Sequence, residues 1–333
     1  MAERTPGPSD AAWPALALFA ALALGSGVGW AEPLGGDAYL ASLVMRAMIL
    51  AIAALSLDLL IGRAGLVSFG HAAFLGIGAY ATGIALAEGI HDTVTILVLA
   101  IAASAAFAAV TGAIALRTTG VQFIMITLAF GQMVFFAASA LSRYGGDDGL
   151  TLWSTSELFG TRLMEAPGVL YAVTLAALAG TWFAIGRIAG SRLGRVLVAA
   201  REAPVRVETL GFETLRHRLV AYVIAGAVAG VAGFLAAHES EFVSPATAAW
   251  QRSGDLIVVV LIGGQATRNG PLFGAFAFVL IEEALGRVTE HWRLIFGPLL
   301  VLSVLYARGG LARAADRLWT SGRAAGRTPG RLP

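Results

Sequence analysis

The sequence contains neither cysteine nor lysine. Without cysteine, disulfides, zinc-thiolate sites and thiol catalysis are excluded. All 23 basic residues are arginine, so the chain cannot form a G-x-x-x-x-G-K-S/T phosphate-binding loop. It therefore cannot itself hydrolyse ATP as a Walker-type ATPase. Charge is also scarce, at 13% of residues against 57% for hydrophobic residues. Together with a mean hydropathy of +0.77, this composition indicates a multi-spanning membrane protein.

Catalytic and nucleic-acid-binding patterns are missing as well. The sequence shows no paired carboxylates, no metal-ligand spacing and no Ser/His/Asp arrangement, and its five histidines are scattered. We therefore expect the chain not to be an enzyme and to hold no cofactor and no metal. The basic residues are not interleaved with aromatic residues, so no nucleic acid is expected as a partner. The arginine-rich ends favour anionic membrane lipid instead.

Ten apolar runs predict an all-α integral membrane fold with about ten transmembrane helices, since a spanning helix needs ~20 mostly apolar residues. The runs are 13–30, 40–62, 66–87, 93–116, 121–142, 169–186, 219–237, 254–267, 271–289 and 294–307. The run 254–267 is short and ends in glycines, so it either crosses or re-enters. We expect a transmembrane domain over 13–312, an N-terminal tail over 1–12 and a basic, disordered C-terminal tail over 313–333.

The distribution of arginine predicts the orientation. If all ten runs cross, most arginines fall in loops and tails on the same side as the N-terminus. Basic residues are retained in cytoplasmic loops, so both the N- and C-termini are predicted to be cytoplasmic. The basic loop 187–218 is then internal, and the polar loop 143–168 is external. The first run could instead be a cleaved signal peptide, which would leave nine spans and an external N-terminus.

The loop 187–218 carries helical signals that lipid does not explain. Its first part has an apolar stripe at helical spacing, formed by Leu193, Val196, Leu197 and Ala200. Pro204 fits the first turn of a second short helix, Gly211 fits its C-terminal end, and Thr214 fits the cap of the next span. Two interpretations remain open: a hairpin on anionic headgroups, or a docking element whose stripe fits a groove of a cytoplasmic protein.

Residues 191–212 resemble the cytoplasmic coupling segment of permeases for branched-chain amino acids and related amides in the ABC importer superfamily. The family pattern is S-x-x-G-R-x-L-x-A-x-R-E-N followed by A-E-x-x-G. The matching residues are Ser191, Gly194, Arg195, Leu197, Ala199, Arg201, Glu202, Glu208 and Gly211. The sequence departs from the family at Ala203 and Pro204, where an asparagine and a polar residue are usual. The resemblance implies that this segment couples the permease to an ATPase.

Two glycine-rich blocks resemble the same family. Residues 65–80 match G-x-x-S-x-G-H-A-A-F-x-G-x-G-A-Y, and residues 263–275 match G-G-x-G-x-x-x-G-P-x-x-G-A except at Ala266, where glycine is usual. The candidate residues of a translocation path are Gly65, Ser68, Gly70, His71, Gly76, Gly78, Tyr80, Gly263, Gly264, Gly270 and Pro271. Close helix packing is the alternative role for most of the glycines, whereas Gly65 and Gly70 could open the backbone toward a water-filled path.

Asp58, His71 and Arg46 are polar residues within the predicted spans. We expect Asp58 to form an ion pair with Arg63, because an unpaired acid is costly in the membrane. His71 is predicted to be a neutral imidazole that is hydrogen-bonded to a neighbouring helix. Arg46 stands where the family usually has an apolar residue, and we expect its side chain to extend outward to the membrane surface.

The resemblance implies the type II ABC importer permease fold and the transmembrane permease subunit of an ABC importer in a bacterial inner membrane. It implies as partners a second permease subunit, two cytoplasmic ABC ATPase subunits and an extracytoplasmic solute-binding protein. Family members carry branched-chain amino acids, and close relatives carry other amino acids, amides or urea. One alternative is an ion-coupled secondary transporter of small polar solutes, which should show more intramembrane acids. The other is a membrane-embedded enzyme, which should show clustered polar residues at one depth.

Overall fold

The computed structural model describes residues 13–25, 38–157, 161, 164, 166–289, 291 and 294–298, and these are mostly helical, as predicted. The α-helices are α1 (Trp13–Gly25), α2 (Ala38–Asp58), α3 (His71–Ala87), α4 (Thr93–Ala115), α5 (Val121–Ser139), α6 (Pro167–Gly190), α7 (Arg192–Glu202), α8 (Pro204–Thr209), α9 (Thr214–Ser240), α10 (Trp250–Gly263) and α11 (Gly270–Gly286). A π-helical segment, Leu59–Ala64, continues α2. Short 3-10 helical segments are Ser142–Tyr144, Gly146–Asp148 and Pro245–Ala248. Strand β1 (Leu150–Thr151) pairs antiparallel with β2 (Phe242–Val243), with Leu150 opposite Val243.

Among the described residues, five helical stretches are long and apolar enough to cross a membrane. They are Tyr39–Ala64, Thr93–Ala115, Val121–Ser139, Pro167–Gly190 and Thr214–Ser240, and each coincides with a predicted run. Helix α10 has only 14 residues. At 1.5 Å per residue it is roughly 21 Å long, which is short of the ~30 Å hydrocarbon core. Its length favours the re-entrant alternative for the run 254–267.

The third span begins later than its apolar run predicted. The run starts at residue 66, but residues 65–70 are not helical and α3 begins at His71. Gly65 ends the preceding π-helical segment with a φ of 70°, a conformation that glycine adopts without the steric cost of a Cβ. The tails 1–12 and 313–333, and most of the run 294–307, lie outside the described residues.

Helix α9 is central to the bundle and packs against α2, α3 and α4. Its contact with α4 depends on two glycines. A Cβ on Gly226 would lie 2.6 Å from the Cβ of Ala108, and a Cβ on Gly230 would lie 2.7 Å from Ser104 Oγ. Apolar side chains gain little by leaving lipid, so helices in a membrane associate through such close backbone approach. Gly226 and Gly230 therefore have the packing role predicted for them.

The bundle has two distinct ends. At the first, α7 packs against α6, α9 and the π-helical segment, and α8 follows α7; we call this the α7–α8 end. At the second, the β1–β2 pair joins the loop after α5 to the chain that leaves α9; we call this the β-ribbon end. There Arg143 forms an ion pair with Glu88 at 2.7 Å. Because α2 ends in the π-helical segment, it runs from the β-ribbon end to the α7–α8 end.

Candidate functional site

The segment 191–212 folds as a helix, a corner and a second helix, as its sequence predicted. Ser191 caps α7, and its Oγ accepts a hydrogen bond from the Gly194 N–H at 3.4 Å. Pro204 is the first residue of α8, and Gly211 follows the end of α8 with a φ of 85°. The predicted cap at Thr214 is wrong: Glu213 is the N-cap residue of α9, and the Thr214 hydroxyl donates to Glu208 Oε1 at 2.6 Å.

The apolar stripe of α7 faces the protein itself. Leu197 is only 1% exposed and packs with Leu59 and Leu60 of the π-helical segment. Leu197 and Ala200 of this stripe are therefore covered by the bundle, whereas Leu193 and Val196 are half-buried. The exposed apolar side chains lie beyond the corner instead, with Val205 72% exposed and Leu210 71% exposed.

Arg201 links α7 to the end of α2. Its Nη1 donates a hydrogen bond of 2.6 Å to the carbonyl oxygen of Gly62 in the π-helical segment. A π-helical turn leaves carbonyl groups out of the regular i to i−4 pattern, so they can accept bonds from elsewhere. Gly65 makes room for this arginine, because a Cβ at residue 65 would lie 2.9 Å from Arg201 Cγ. Two residues from separate sequence motifs thus meet at one point.

Asp58 extends this contact to the turn between α10 and α11. Its Oδ1 accepts a hydrogen bond from the Ala266 N–H at 2.8 Å, and the side chain is buried. Among the described residues, no ion pair within 4 Å joins Asp58 to Arg63, contrary to the prediction from the sequence. The partner of the carboxylate is instead the backbone N–H of Ala266, a residue with a left-handed φ of 63°. We call Asp58, Gly62, Arg201 and Ala266 the junction.

Gly62 has no room for a side chain within the junction. A Cβ there would lie 2.5 Å from Asp58 Oδ1 and 2.6 Å from the Ala266 nitrogen. Next to the junction lies a cavity of about 340 Å³ that is lined in part by Arg63, Trp182 and Arg268. The contact therefore brings α2, α7 and the α10–α11 turn together at the α7–α8 end.

The other predicted coupling residues have varied environments. Arg195 Nη1 donates to the Gly190 carbonyl at 3.0 Å, which ties the start of α7 to the end of α6. Gly194 packs directly on the carbonyls of Ile188 and Ala189. Ala199 and Glu202 are exposed on the surface of α7.

The non-helical stretch 65–70 before α3, which we call the break, is stabilised by side chains of neighbouring helices. The Phe69 N–H donates to Thr127 Oγ1 on α5 at 3.2 Å, and the Ala72 N–H donates to Ser253 Oγ on α10 at 3.0 Å. Gly70 packs against the Thr127 carbonyl, and Ser68 is fully buried. The break therefore joins α5, α10 and α3 without unpaired N–H groups at Phe69 and Ala72.

His71 is bonded to a neighbouring helix, as predicted. Its Nε2 lies 2.7 Å from Ser56 Oγ on α2, and its ring is fully buried and packs edge-on against Phe74. The Ser56 hydroxyl also lies 2.7 Å from the Ala53 carbonyl. The imidazole thus fastens the start of α3 to α2.

The remaining glycines of this block are packing positions. A Cβ on Gly76 would lie 2.6 Å from that of Ala248, and Gly78 packs directly on the Gly230 carbonyl. Tyr80 is 6% exposed and belongs to the apolar cluster under the β-ribbon. These contacts are with protein, so they support the packing alternative for Gly76 and Gly78.

The turn between α10 and α11 contains the second glycine-rich block. Gly264 ends α10 with a φ of 109°, Gly263 packs directly on the Gly270 carbonyl, and Pro271 lies in the first turn of α11. Trp182 of α6 fixes the turn, since its Nε1 donates to Asn269 Oδ1 at 3.0 Å. The turn meets α2 at Asp58 and His71 meets α2 at Ser56, and neither the cavity of about 340 Å³ nor one of about 240 Å³ nearer the β-ribbon end is lined by the candidate path residues.

A second cavity, of about 240 Å³, lies toward the β-ribbon end between α2, α3, α9, α10 and α11. Its charged lining residues are Arg46, Glu239, Arg252, Asp255 and Glu282, and we call it the polar cavity. Arg46 does not simply extend outward as expected: its Nη2 contacts both carboxylate oxygens of Glu282 at 2.9 Å. The reason is that α11 packs against α2 and brings this carboxylate within reach.

No sequence pattern marks several residues that hold these contacts. Gly62 and Ser56 are isolated small residues inside apolar runs, Ser253 lies just before one, and neither spacing nor charge distinguishes them. Arg252 and Glu282 are visible as charges in or near predicted spans, and an intramembrane charge is itself a signal of a functional site.

The helical bundle and its long apolar helices define a multi-pass membrane protein. Residues 39–304 match the family described as the permease component of branched-chain amino acid transport systems, and the chain belongs to this family. The high-affinity branched-chain amino acid transport system permease protein LivM of Salmonella typhimurium is 29% identical over 287 residues, which cover 79% of this chain and 68% of that protein.

Two further relatives show the range of the family. The autoinducer 2 import system permease protein LsrC of an Enterobacter species is 28% identical over 73% of this chain and 71% of its own length. A probable branched-chain amino acid transport permease protein LivM of Methanocaldococcus jannaschii is 25% identical over 78% of this chain and 89% of its own length. No solved structure matches the chain.

Proposed function

We propose that this chain is the transmembrane permease subunit of an ABC importer and that it translocates branched-chain amino acids or related amino acids, amides or urea. ATP is hydrolysed in separate subunits, since a chain without lysine has no Walker A loop. The observation that carries the proposal is the Arg201 to Gly62 hydrogen bond, because it gives movement of the segment 191–212 a direct route into a membrane helix.

The proposed orientation follows the arginine distribution. The α7–α8 end faces the cytoplasm of a bacterium, both termini are cytoplasmic, and the chain lies in the inner membrane with about ten membrane segments. Residues 187–218 form the coupling loop, residues 143–168 form the external loop, and the tails 1–12 and 313–333 flank a transmembrane domain over 13–312.

The junction is the proposed lever. Displacement of α7 moves the Arg201 guanidinium, and with it the π-helical end of α2. Asp58, four residues before Gly62, holds the α10–α11 turn through the Ala266 N–H. Because packed interfaces switch between discrete arrangements, a shift at one of these contacts is passed on to the others. The lever therefore connects the coupling loop with two glycine-rich blocks that line or support the path.

The proposed docking surface for the ATPase subunits lies on α8 and the residues after it. Val205 and Leu210 are the most exposed apolar side chains there, and Arg206 and Glu208 are exposed charges beside them. An apolar centre with a charged rim is typical of a protein interface. A second permease subunit completes the pore, and a solute-binding protein delivers the substrate to the β-ribbon end.

The proposal is tested by co-purification and uptake. Val205→Asp with Leu210→Asp should abolish co-purification of the ATPase subunits encoded beside the gene, because two charges would be buried in an apolar contact. Trp153→Asp is the matched control, since Trp153 is 93% exposed at the β-ribbon end. Retention of the ATPases by the double variant would contradict the docking surface. Uptake of L-leucine that follows an ion gradient and persists without ATP hydrolysis would favour a secondary transporter instead.

A further inference from the structure

We propose that the polar cavity binds the charged groups of a zwitterionic amino acid, with Arg252 holding the α-carboxylate and Glu239 holding the α-ammonium group. The inference rests on the proposed transport function and narrows its substrate class. Urea and neutral amides carry neither charge, so they gain nothing from these two side chains. When an amino acid zwitterion leaves water, its carboxylate needs a positively charged partner and its ammonium group needs a negatively charged one.

The two arginines of the cavity differ in how fully they are paired. Arg46 and Glu282 form a close pair, with both carboxylate oxygens at 2.9 Å from one guanidinium nitrogen. Arg252 approaches Asp255 only at 4.0 Å, and within the described part of the chain its guanidinium has no closer polar partner. A guanidinium carries five N–H donors. Arg252 is therefore the cation of this cavity with donors to offer a carboxylate.

Glu239 supplies the opposite charge. Its Oε1 accepts one hydrogen bond, from the Ser42 hydroxyl at 2.6 Å, whereas an ionised carboxylate can accept about four. The Ser42 bond fixes the orientation of the carboxylate on the cavity wall. The remaining acceptor positions suit the three N–H donors of an ammonium group.

The rest of the cavity suits a small aliphatic side chain. Its wall includes Ile49, Leu50, Leu75, Leu256 and Phe278, and its volume is about 240 Å³. Pockets for drug-sized ligands are larger, at roughly 300–1,000 Å³, so this volume fits a small metabolite. Both signs of charge next to an apolar wall match the chemistry of an aliphatic amino acid.

The position of the cavity fits a subsite on a path. Arg252 and Asp255 also line a neighbouring cavity of about 470 Å³ together with Gln132 and Trp250. The α10 residues that carry the charges therefore stand between two cavities near the β-ribbon end. In the proposed orientation this is the side from which substrate arrives.

The test uses the complete importer, with its partner subunits, in proteoliposomes and three probes. The probes are L-leucine, 3-methylbutylamine, which lacks the carboxylate, and 4-methylpentanoate, which lacks the ammonium group. Binding is measured by equilibrium dialysis without the solute-binding protein, and L-leucine uptake is measured with it. Arg252→Gln should weaken L-leucine binding about tenfold or more and leave 3-methylbutylamine binding unchanged, because only the carboxylate loses its partner.

Glu239→Gln should have the converse effect: weaker L-leucine binding and unchanged 4-methylpentanoate binding. Arg252→Lys keeps the positive charge and should retain the preference for L-leucine over the amine, which separates the charge from a general effect on folding. Arg143→Gln removes an ion pair at the same end but outside the cavity, and it is the matched control.

If Arg252→Gln and Glu239→Gln bind L-leucine as tightly as Arg143→Gln does, the subsite is overturned. L-leucine uptake by the wild-type importer would in that case still support the proposed function. An assembled Arg252→Lys variant without preference for L-leucine over the amine would also overturn it. A wild-type importer that takes up no amino acid would overturn both proposals together.

Discussion

Replacing Gly62 by alanine is a direct test of the junction. The new Cβ would lie 2.5 Å from Asp58 Oδ1, 2.6 Å from the Ala266 nitrogen and 2.8 Å from the Ala266 Cα. Two of these atoms are backbone, so the clash cannot be relieved by rotating a side chain. The Asp58 to Ala266 hydrogen bond would have to lengthen or break. A lost bond to a charged group costs about 1.5–3 kcal/mol, and overpacking typically costs about 1–3 kcal/mol.

We therefore expect Gly62→Ala to lower the free energy of unfolding by roughly 3 kcal/mol or more. The assay is reversible unfolding of the purified protein in mixed micelles, followed by circular dichroism. Gly180→Ala is the matched control, because a Cβ there meets nothing within 4 Å and alanine favours a helix. Equal stability of the two alanine variants would show that the described contact of Asp58 with Ala266 is wrong.

Three further predictions concern single contacts. Ala266 holds a left-handed conformation that costs about 1–2 kcal/mol for a residue with a Cβ. Glycine also raises the conformational entropy of the unfolded chain, which costs about 0.4–1 kcal/mol of stability. Ala266→Gly should therefore raise the free energy of unfolding by roughly 0.8 kcal/mol. The matched control, Ala106→Gly within helix α4, should lower it. Ser56→Ala removes the partner of His71 Nε2 and should destabilise by about 1–3 kcal/mol, whereas Ser240→Ala, at an exposed position, should cost less. The pKa of Asp92, which caps α4, is lowered chiefly by the hydrogen bond from the Thr95 hydroxyl. The contribution of this hydrogen bond to stability is therefore fully present above the unfolded pKa of 3.8 and is lost as the pH falls through the lowered pKa of the folded protein. Asp92→Asn should accordingly make the free energy of unfolding depend less on pH in the acid range. An unchanged melting profile of Ala266→Gly or Ser56→Ala, or an unchanged pH dependence of Asp92→Asn, would count against the contact concerned.

The helices of this chain could be predicted because apolar runs of membrane length have few alternatives in lipid. The corner of the segment 191–212 could also be predicted, because Pro204 and Gly211 fix the start and end of α8 through their backbone geometry. These signals are local, and each depends on residues close together in the chain.

Partners distant in sequence could not be predicted in the same way. Asp58 suggested an ion pair with Arg63 because the two are near in sequence, but its partner is an N–H group 208 residues away. Arg46 pairs with a carboxylate 236 residues away. Such contacts depend on how α2 packs against α10 and α11, and helical periodicity carries no information about that packing.

The surroundings of the α7 stripe could not be predicted for a related reason. The spacing of Leu197 and Ala200 shows that one side of α7 is apolar, but it does not show what covers that side. The π-helical segment that covers it follows from no sequence pattern. With Leu197 and Ala200 facing the bundle, the most exposed apolar side chains of the segment 191–212 are those of Val205 and Leu210.

The central claim is that Arg201 transmits the movement of the coupling loop to α2, and the ratio of ATP hydrolysed to L-leucine taken up by the reconstituted importer tests it most directly. Arg201→Ala should leave ATP hydrolysis in place and lower uptake about tenfold, within the range of ~5–150-fold typical of coupling between sites. Arg117→Ala, which replaces an exposed arginine between α4 and α5, outside the coupling loop and the docking surface, is the matched control. The same ratio in both variants would contradict the claim.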